Sequence, residues 1–285
     1  MQQGRTASLS CDIPVGDLQR SVDGVDDGLE IRLVETLGEY QACVDLQELT
    51  WGPGFHETVP PAILMIANKM AGVTAGAFTR DGRLMGFVFG ISGLRHGTLS
   101  HWSDMLAVHP DARGANLGER LKLFQREVCR SHGIPLMYWT FDPLVARNAH
   151  LNLMRLGARA SEYAVDLYGA NTGSPLHGAL PTDRWIASWD LEGVAVIPSK
   201  PLEGGVYAVR TDDDRMPVVQ PFVHARAVRV AIPVDHEQLS LPQRVTWREA
   251  TRSALTHYLN DGWSVRAFFR ATPDSPPFYE LTADR

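Results

Sequence analysis

The stretch AVHPDARGANLGERLKLFQ, residues 107–125, changes character twice. It opens apolar, passes through Arg113-Gly114-Ala115-Asn116-Leu117-Gly118, and continues with Leu117, Leu121, Phe124 and Val128 at the spacing of one helix face. A strand, a glycine-bearing turn and a helix start in that order form an anion site. The first N–H groups of a helix have no partners of their own, and the helix dipole favours negative charge there. The chemistry is therefore phosphate binding. A dinucleotide turn does not fit, because Gly-x-Gly-x-x-Gly should follow the first strand, whereas GANLGE at 114–119 follows a late one. A triphosphate loop would need Gly-Lys-Ser/Thr, which is absent. Asn116 stands where a third glycine would be expected. Asn is among the side chains that best tolerate left-handed backbone, so the turn is expected to form around it.

Other chemistries leave no mark. The chain lacks His-Glu-x-x-His, Cys-x-x-Cys and Gly-x-Ser-x-Gly, so metalloprotease and serine-hydrolase readings have no support and no metal is expected. Cys11, Cys43 and Cys129 are odd in number and far apart, which reads as reduced thiols in a cytoplasmic protein. Cys129 falls on a helix and is expected in the core. A net charge of −6 with scattered basic residues gives no footprint for nucleic acid. No apolar stretch approaches the length of a membrane span, and the first residues lack a secretory-signal pattern.

The elements that position the turn follow from periodicity and punctuation. A leader rich in Gly, Asp and Ser, 1–28, is expected to be poorly ordered. A strand at 29–35 precedes two helices, 36–51 and one opening at Pro60-Pro61. Strands at 73–79 and 84–90 flank Asp81-Gly82, a hairpin signal. A strand at 98–108 feeds the turn and its helix. Then come a strand at 136–141, a helix at 146–156 ending at Gly157, a strand at 158–168, a loop ANTGSPLHGALPTD and a strand at 185–191. This is an α/β domain with a mixed sheet. Residues 192–220 read as loop. Beyond them lie a strand at 228–234, a helix whose capping box is Thr246-x-x-Glu249, and closing strands at 265–269 and 278–282. The expected division is 29–191 for the main domain and 192–285 for an α/β extension packed on it.

With those elements in place, 108–121 resembles motif A of the GNAT superfamily of acyl-CoA-dependent N-acyltransferases, whose Arg-Gly-x-Gly-Leu/Ile-Gly appears as Arg113-Gly114-Ala115-Asn116-Leu117-Gly118. The element order over about 29–191 is similar to that fold: a mixed central sheet flanked by helices. The stretch YWTFDPLVARNAHLNLMRLGAR, 138–159, resembles a subfamily of predicted bacterial acyltransferases with a Trp-Thr-Phe-Asp-Pro signature. The resemblance implies an N-acyltransferase using acetyl-CoA or another acyl-CoA, succinyl-CoA included, as co-substrate. Its partner would be a small-molecule amine, with an amino acid as one candidate, and a homodimer stays open. An inactive GNAT-fold sensor that only binds acyl-CoA is the alternative.

The same resemblance assigns roles. Coenzyme A would lie along Leu106, Ala107 and Val108, with its pyrophosphate on Arg113–Gly118, and Asn148 would touch the pantetheine arm. Aligning Leu106-Ala107-Val108 on the family puts Trp102 and Asp104 where arylalkylamine N-acetyltransferases carry histidines. Asp104 is the expected base, with His101 the other candidate if a bulge turns it. Alternation puts Trp102, Asp104 and Leu106 on one face. The family's usual acid, a Tyr, aligns with Leu153, leaving Tyr138, Tyr163 or Tyr168 as substitutes. Arg147 and Arg155, with Arg95 and His96, are candidates for a substrate carboxylate.

Overall fold

The computed structural model describes residues 28–114, 116–169, 173–174 and 180–283. The expected leader, Cys11, Ala115 and most of the 170–183 loop lie outside the described residues. In chain order the first unit runs β1 (Leu29–Leu33), α1 (Leu37–Trp51), α2 (Pro61–Lys69), β2 (Val73–Thr79), β3 (Leu84–Arg95), β4 (Thr98–Val108), α3 (Leu117–Ser131), β5 (Leu136–Phe141), α4 (Ala146–Ala149, continuing as a π-helix His150–Arg155), β6 (Arg159–Ala164) and β7 (Arg184–Asp190). Its seven strands form one mixed sheet, ordered β1-β2-β3-β4-β5-β7-β6. This is the expected mixed sheet flanked by helices.

Local chemistry accounts for most boundaries. Thr36 caps α1 in a reciprocal box with Glu39. Pro at the first position of α2 has no N–H to waste. Gly82, at φ +85°, turns the β2–β3 hairpin. The face of the sheet bearing Phe78, Phe87, Phe89, Met105 and Ala107 packs on α1 and α2. The other face meets Leu117, Leu121, Phe124 and Val128 of α3.

β4 and β5 are parallel neighbours over only three pairs, Ser100/Leu136, His101/Met137 and Trp102/Tyr138. Past Trp102 they separate. A wedge thus opens in the middle of the sheet, between Ser103–Val108 and Trp139–Phe141.

The second unit corrects the expectation of loop at 192–220. It contains β8 (Val206–Thr211) and β9 (Pro217–Val219), followed by β10 (Val228–Ala231), α5 (Leu241–Asn260), β11 (Trp263–Phe269) and β12 (Phe278–Ala283). The order of this five-stranded sheet is β11-β12-β10-β8-β9. The expected cap at Thr246 is also corrected: α5 starts at Leu241, with Ser240 and Gln243 forming the box, and Thr246 sits mid-helix donating to the Pro242 carbonyl. Strand 158–168 stops at Ala164, where the chain turns. One buried apolar cluster runs from Val73, Leu121 and Trp185 to Trp247 and Tyr279, so the two sheets share a core.

Candidate active site

A cleft of about 630 Å³ fills the wedge. Its inner end is made by Ser103 and Asp104 on β4, Trp139 and Thr140 on β5, and Lys122 on α3. Phe55 and Glu57 from the α1–α2 connection wall one side, Asn148 and Leu151 another, and His236, Glu237 and Arg244 reach in from the second unit.

Leu106, which lines the cleft, also packs beside Gly118 at the start of α3 and so brings the glycine-bearing turn next to it. Asn116 holds φ +54° and ψ +21°, the left-handed conformation expected of it, and is the N-cap of α3 without a side-chain cap bond. Gly114 has φ +91°. The Asn116 carbonyl accepts from the Glu119 and Arg120 N–H groups at 3.0 and 3.2 Å, so the amides at the very start of α3, Leu117 and Gly118, precede the first intrahelical bonds, and a Cβ at Gly118 would meet only Leu106 Cδ2 at 3.6 Å and Val108 Cγ2 at 3.9 Å. The residues present fit a pyrophosphate: a left-handed turn, the leading amides of a helix and its dipole in one place.

A bulge decides which side each β4 residue takes. Phe89 pairs with Met105 and Gly90 with Ser103, leaving Asp104 as the extra residue. Trp102 and Asp104 therefore share a side, but Leu106 does not. It packs with Val108 toward α3, correcting the expected common face.

Asp104 opens into the cleft. Crowding by the cleft walls raises its carboxyl above the ordinary range, against a lowering hydrogen bond from the Trp102 indole. Trp102 does not line the cleft; it stands behind Asp104. Glu57 is likewise raised, by desolvation first and by the Asp104 charge second. Tyr168 lines the same side, its hydroxyl 2.9 Å from Thr140 Oγ1, and burial raises its phenol. The other two tyrosines are elsewhere. Tyr163 donates to Asp183, and Tyr138 lies under the Arg95 guanidinium.

His101 is corrected from candidate base to buried support. It is fully buried, and a Cβ at Gly90 would collide with its ring. Ser92 Oγ spends its proton on the Ala71 carbonyl at 2.6 Å, so it accepts from His101 Nδ1 at 2.9 Å. His101 Nε2 then accepts from the Gln125 amide at 3.0 Å. Gln125 Oε1 takes the Ser103 hydroxyl proton at 2.7 Å, and Ser103 Oγ accepts from Lys122 Nζ, also at 2.7 Å. Desolvation depresses His101 to about 3, so the imidazole stays neutral.

The arginines expected to bind a carboxylate already hold partners. Arg155 is off the cleft wall and pairs with Glu119 at 2.8 Å. Arg147 lines the cleft but bridges to Glu237 at 2.5 Å. Arg95 pairs with Glu162, and His96 occupies the β3–β4 turn at φ +51°. Arg184 also lines the cleft, and it shares Asp142 with Arg248.

Sequence reasoning missed Lys122, Glu57, Arg184 and His236. Lys122 had a signal: with Gln125 and Cys129 it forms a second buried stripe at i, i+3 and i+7, an unusual place for an ammonium.

No family model matches the chain, and no curated protein matches it. Solved structures do. An N-acetyltransferase from Staphylococcus aureus Mu50 is 12% identical with a TM-score of 0.47, over 57% of this chain and 99% of that one. The yncA protein from Salmonella typhimurium, solved with its cofactor acetyl-CoA, is 16% identical at 0.46, over 60% and 99%. The ribosomal-protein-S18-alanine N-acetyltransferase from Escherichia coli is 14% identical at 0.43, over 61% and 99%. At these identities and scores the likeness says nothing of activity. Among the described residues no helix is long and apolar enough to cross a membrane.

Proposed function

We propose that the chain is an acyl-CoA-dependent N-acyltransferase that moves an acetyl or succinyl group to a small-molecule amine, with residues 29–191 carrying the reaction and 192–285 packed on them as an extension. The observation that carries this reading is the wedge between β4 and β5. It joins an anion-binding helix start at one end to a carboxylate-lined cleft at the other. Splayed parallel strands leave backbone N–H and C=O groups unpaired, and an extended amide-bearing arm such as pantetheine can take those bonds.

Asp104 would take the proton from the acceptor amine, directly or through water. Glu57 across the cleft adds negative charge that draws a cationic amine in. Asn148 faces the wedge where it can meet the pantetheine arm. An amino-acid acceptor would present its carboxylate to Arg184, whose contact with Asp142 is long at 3.5 Å and shared with Arg248, whereas Arg147 and Arg155 pair with Glu237 and Glu119 at 2.5 and 2.8 Å. The ionisable groups that line the cleft, Asp104 and Lys122 among them, favour catalysis over the sensor alternative. The test measures thiol release from acetyl- and succinyl-CoA against amino acids, aminosugars, aminoglycosides and arylalkylamines. Coenzyme A binding without amine-dependent thiol release would overturn transfer in favour of the sensor.

A further inference from the structure

Lys122 is the group in the cleft with no obvious structural reason to be ionisable. It is 3% exposed, yet it lines the inner end of the wedge. Its Nζ donates to Ser103 Oγ at 2.7 Å and stands 4.1 Å from the centroid of the Trp139 ring. No carboxylate among the described residues pairs with it. Burying an ammonium without a counter-ion is costly, and an apolar side chain would fill this volume more cheaply. Such a residue in a cleft points to a functional site.

Its place along the wedge says what it would meet. A pyrophosphate at the start of α3 puts the pantetheine arm beside Val108 and Leu106. Four residues of β4 from Val108 to Asp104 span roughly 13 Å at the rise of a strand. The arm's sulfur therefore comes to the inner end, where Ser103, Trp139 and Lys122 meet. Asp104 projects from the other side of β4, toward Trp102 and Glu57. The amine and the departing sulfur thus face different groups.

We propose that Lys122 is the general acid of the transfer, giving a proton from Nζ to the coenzyme A sulfur as it leaves. This rests on the acyltransferase reading. The amine nitrogen forms its bond to the thioester carbonyl carbon, and the carbon–sulfur bond breaks with its electron pair going to sulfur. Sulfur takes the Lys122 proton, and the surplus proton of the attacking nitrogen goes to Asp104. Asp104 then loses a proton to cleft water and Lys122 gains one. The net change is acyl-CoA plus amine to amide plus free thiol.

The surroundings suit the role. Desolvation lowers Lys122 to about 7, which makes its ammonium a stronger acid than an ordinary thiol, so the transfer runs downhill. The titratable groups facing it do not compete. Cys129 on its own helix is pushed up to about 12 by burial and stays a neutral thiol. His101 on β4 stays neutral behind Gln125. Trp139, from β5, supplies a ring face that holds a cation. The chain from Ser92 through His101 and Gln125 to Ser103 fixes where Nζ points, which makes His101 a positioning residue.

The experiment compares full-length wild type with Lys122→Met and Lys122→Arg, at saturating amine, across pH. Wild-type kcat should fall as pH rises through about 7, because the acidic form is being lost. Rising deprotonation of the acceptor pushes the other way, so a falling limb is diagnostic. Both variants should lose about 10²-fold or more in kcat and lack that limb, while calorimetric affinity for coenzyme A stays within about threefold. If Lys122→Met folds poorly, the wild-type limb and Lys122→Arg still decide. A variant with near-wild-type kcat, or a limb that survives the substitution, overturns the role of Lys122 alone. Wild type that releases no thiol with any amine overturns the acyltransferase reading instead.

Discussion

Arg248 Nη2, on α5, donates to Asp142 Oδ2 at 2.7 Å across 106 residues of sequence. Arg248 is 2% exposed, and the same carboxylate oxygen lies 3.5 Å from Arg184. Asp142 is the acidic residue of the Trp-Thr-Phe-Asp-Pro run, and the carbonyl of Pro143 accepts from Tyr279 on β12 at 2.8 Å. The signature therefore ties the first sheet to the second.

Asp142→Asn should be strongly destabilising, because it leaves two largely buried guanidinium groups facing a neutral amide. Breaking one side of a buried pair costs about 3–5 kcal/mol. Urea unfolding checks it, and a cost under about 1 kcal/mol would mean water replaces the pair. The pH sign follows from the carboxyl. Burial would raise it, but the Arg248 charge and hydrogen bond outweigh that, and the folded carboxyl is lowered. Its contribution is thus present above the ordinary range near about 4 and lost as pH falls through the folded value.

Asp104→Asn should lower kcat/KM by about 10²–10⁴-fold and remove the acid limb of the pH profile. Trp102→Phe gives the finer test. The indole hydrogen bond favours the carboxylate, so removing it should raise Asp104 further and move the acid limb to higher pH. A limb that stays put would show that another group sets it.

Much of this was legible in local sequence. The left-handed Asn116, the Asp81-Gly82 hairpin and the strand before the turn depend on residues within a few positions of one another. The capping pattern was ambiguous: Ser240-x-x-Gln243 and Thr246-x-x-Glu249 both satisfy it. Pro242, accepted only in a first turn, breaks the tie toward the earlier start. The Asp104 bulge was not legible, because it is a register shift against β3. The misassigned His101 had the same cause in another form, since its partners sit on β3 and α3. Strands β8 and β9 are short, lie among Gly, Pro and Asp, and gain their partners only when the second sheet assembles.

Gly118→Asp separates binding from folding. Position 118 has room for a Cβ, and an acidic residue in the first helical turn favours the helix by about 0.3–1 kcal/mol. The melting temperature should hold or rise. The same carboxylate would face a pyrophosphate, and two like charges some 5 Å apart repel by about 3 kcal/mol at an effective dielectric constant near 20. Coenzyme A affinity measured by calorimetry should fall at least about tenfold. Unchanged affinity in a folded variant would put the pyrophosphate elsewhere.

Ending the chain at residue 191 should give protein that is insoluble or melts without cooperativity. The cut removes Arg248 from Asp142, the Tyr279 hydroxyl from the Pro143 carbonyl, and the ring that meets Trp185 edge-on at 5.8 Å. It bares Trp185 and its neighbours in the shared core, and leaving such apolar area wet costs about 25 cal/mol per Å². Arg252, paired with Asp183 at 2.6 Å, goes as well, stranding a fully buried carboxylate. The cleft loses His236, Glu237 and Arg244, so a fragment that survived would bind its acceptor through an incomplete wall. Full-length protein should unfold in a single urea transition, reported alike by far-UV circular dichroism and by tryptophan fluorescence. A soluble fragment of 1–191 with a cooperative transition of its own and undiminished coenzyme A affinity would show instead that the two sheets are independent folding units.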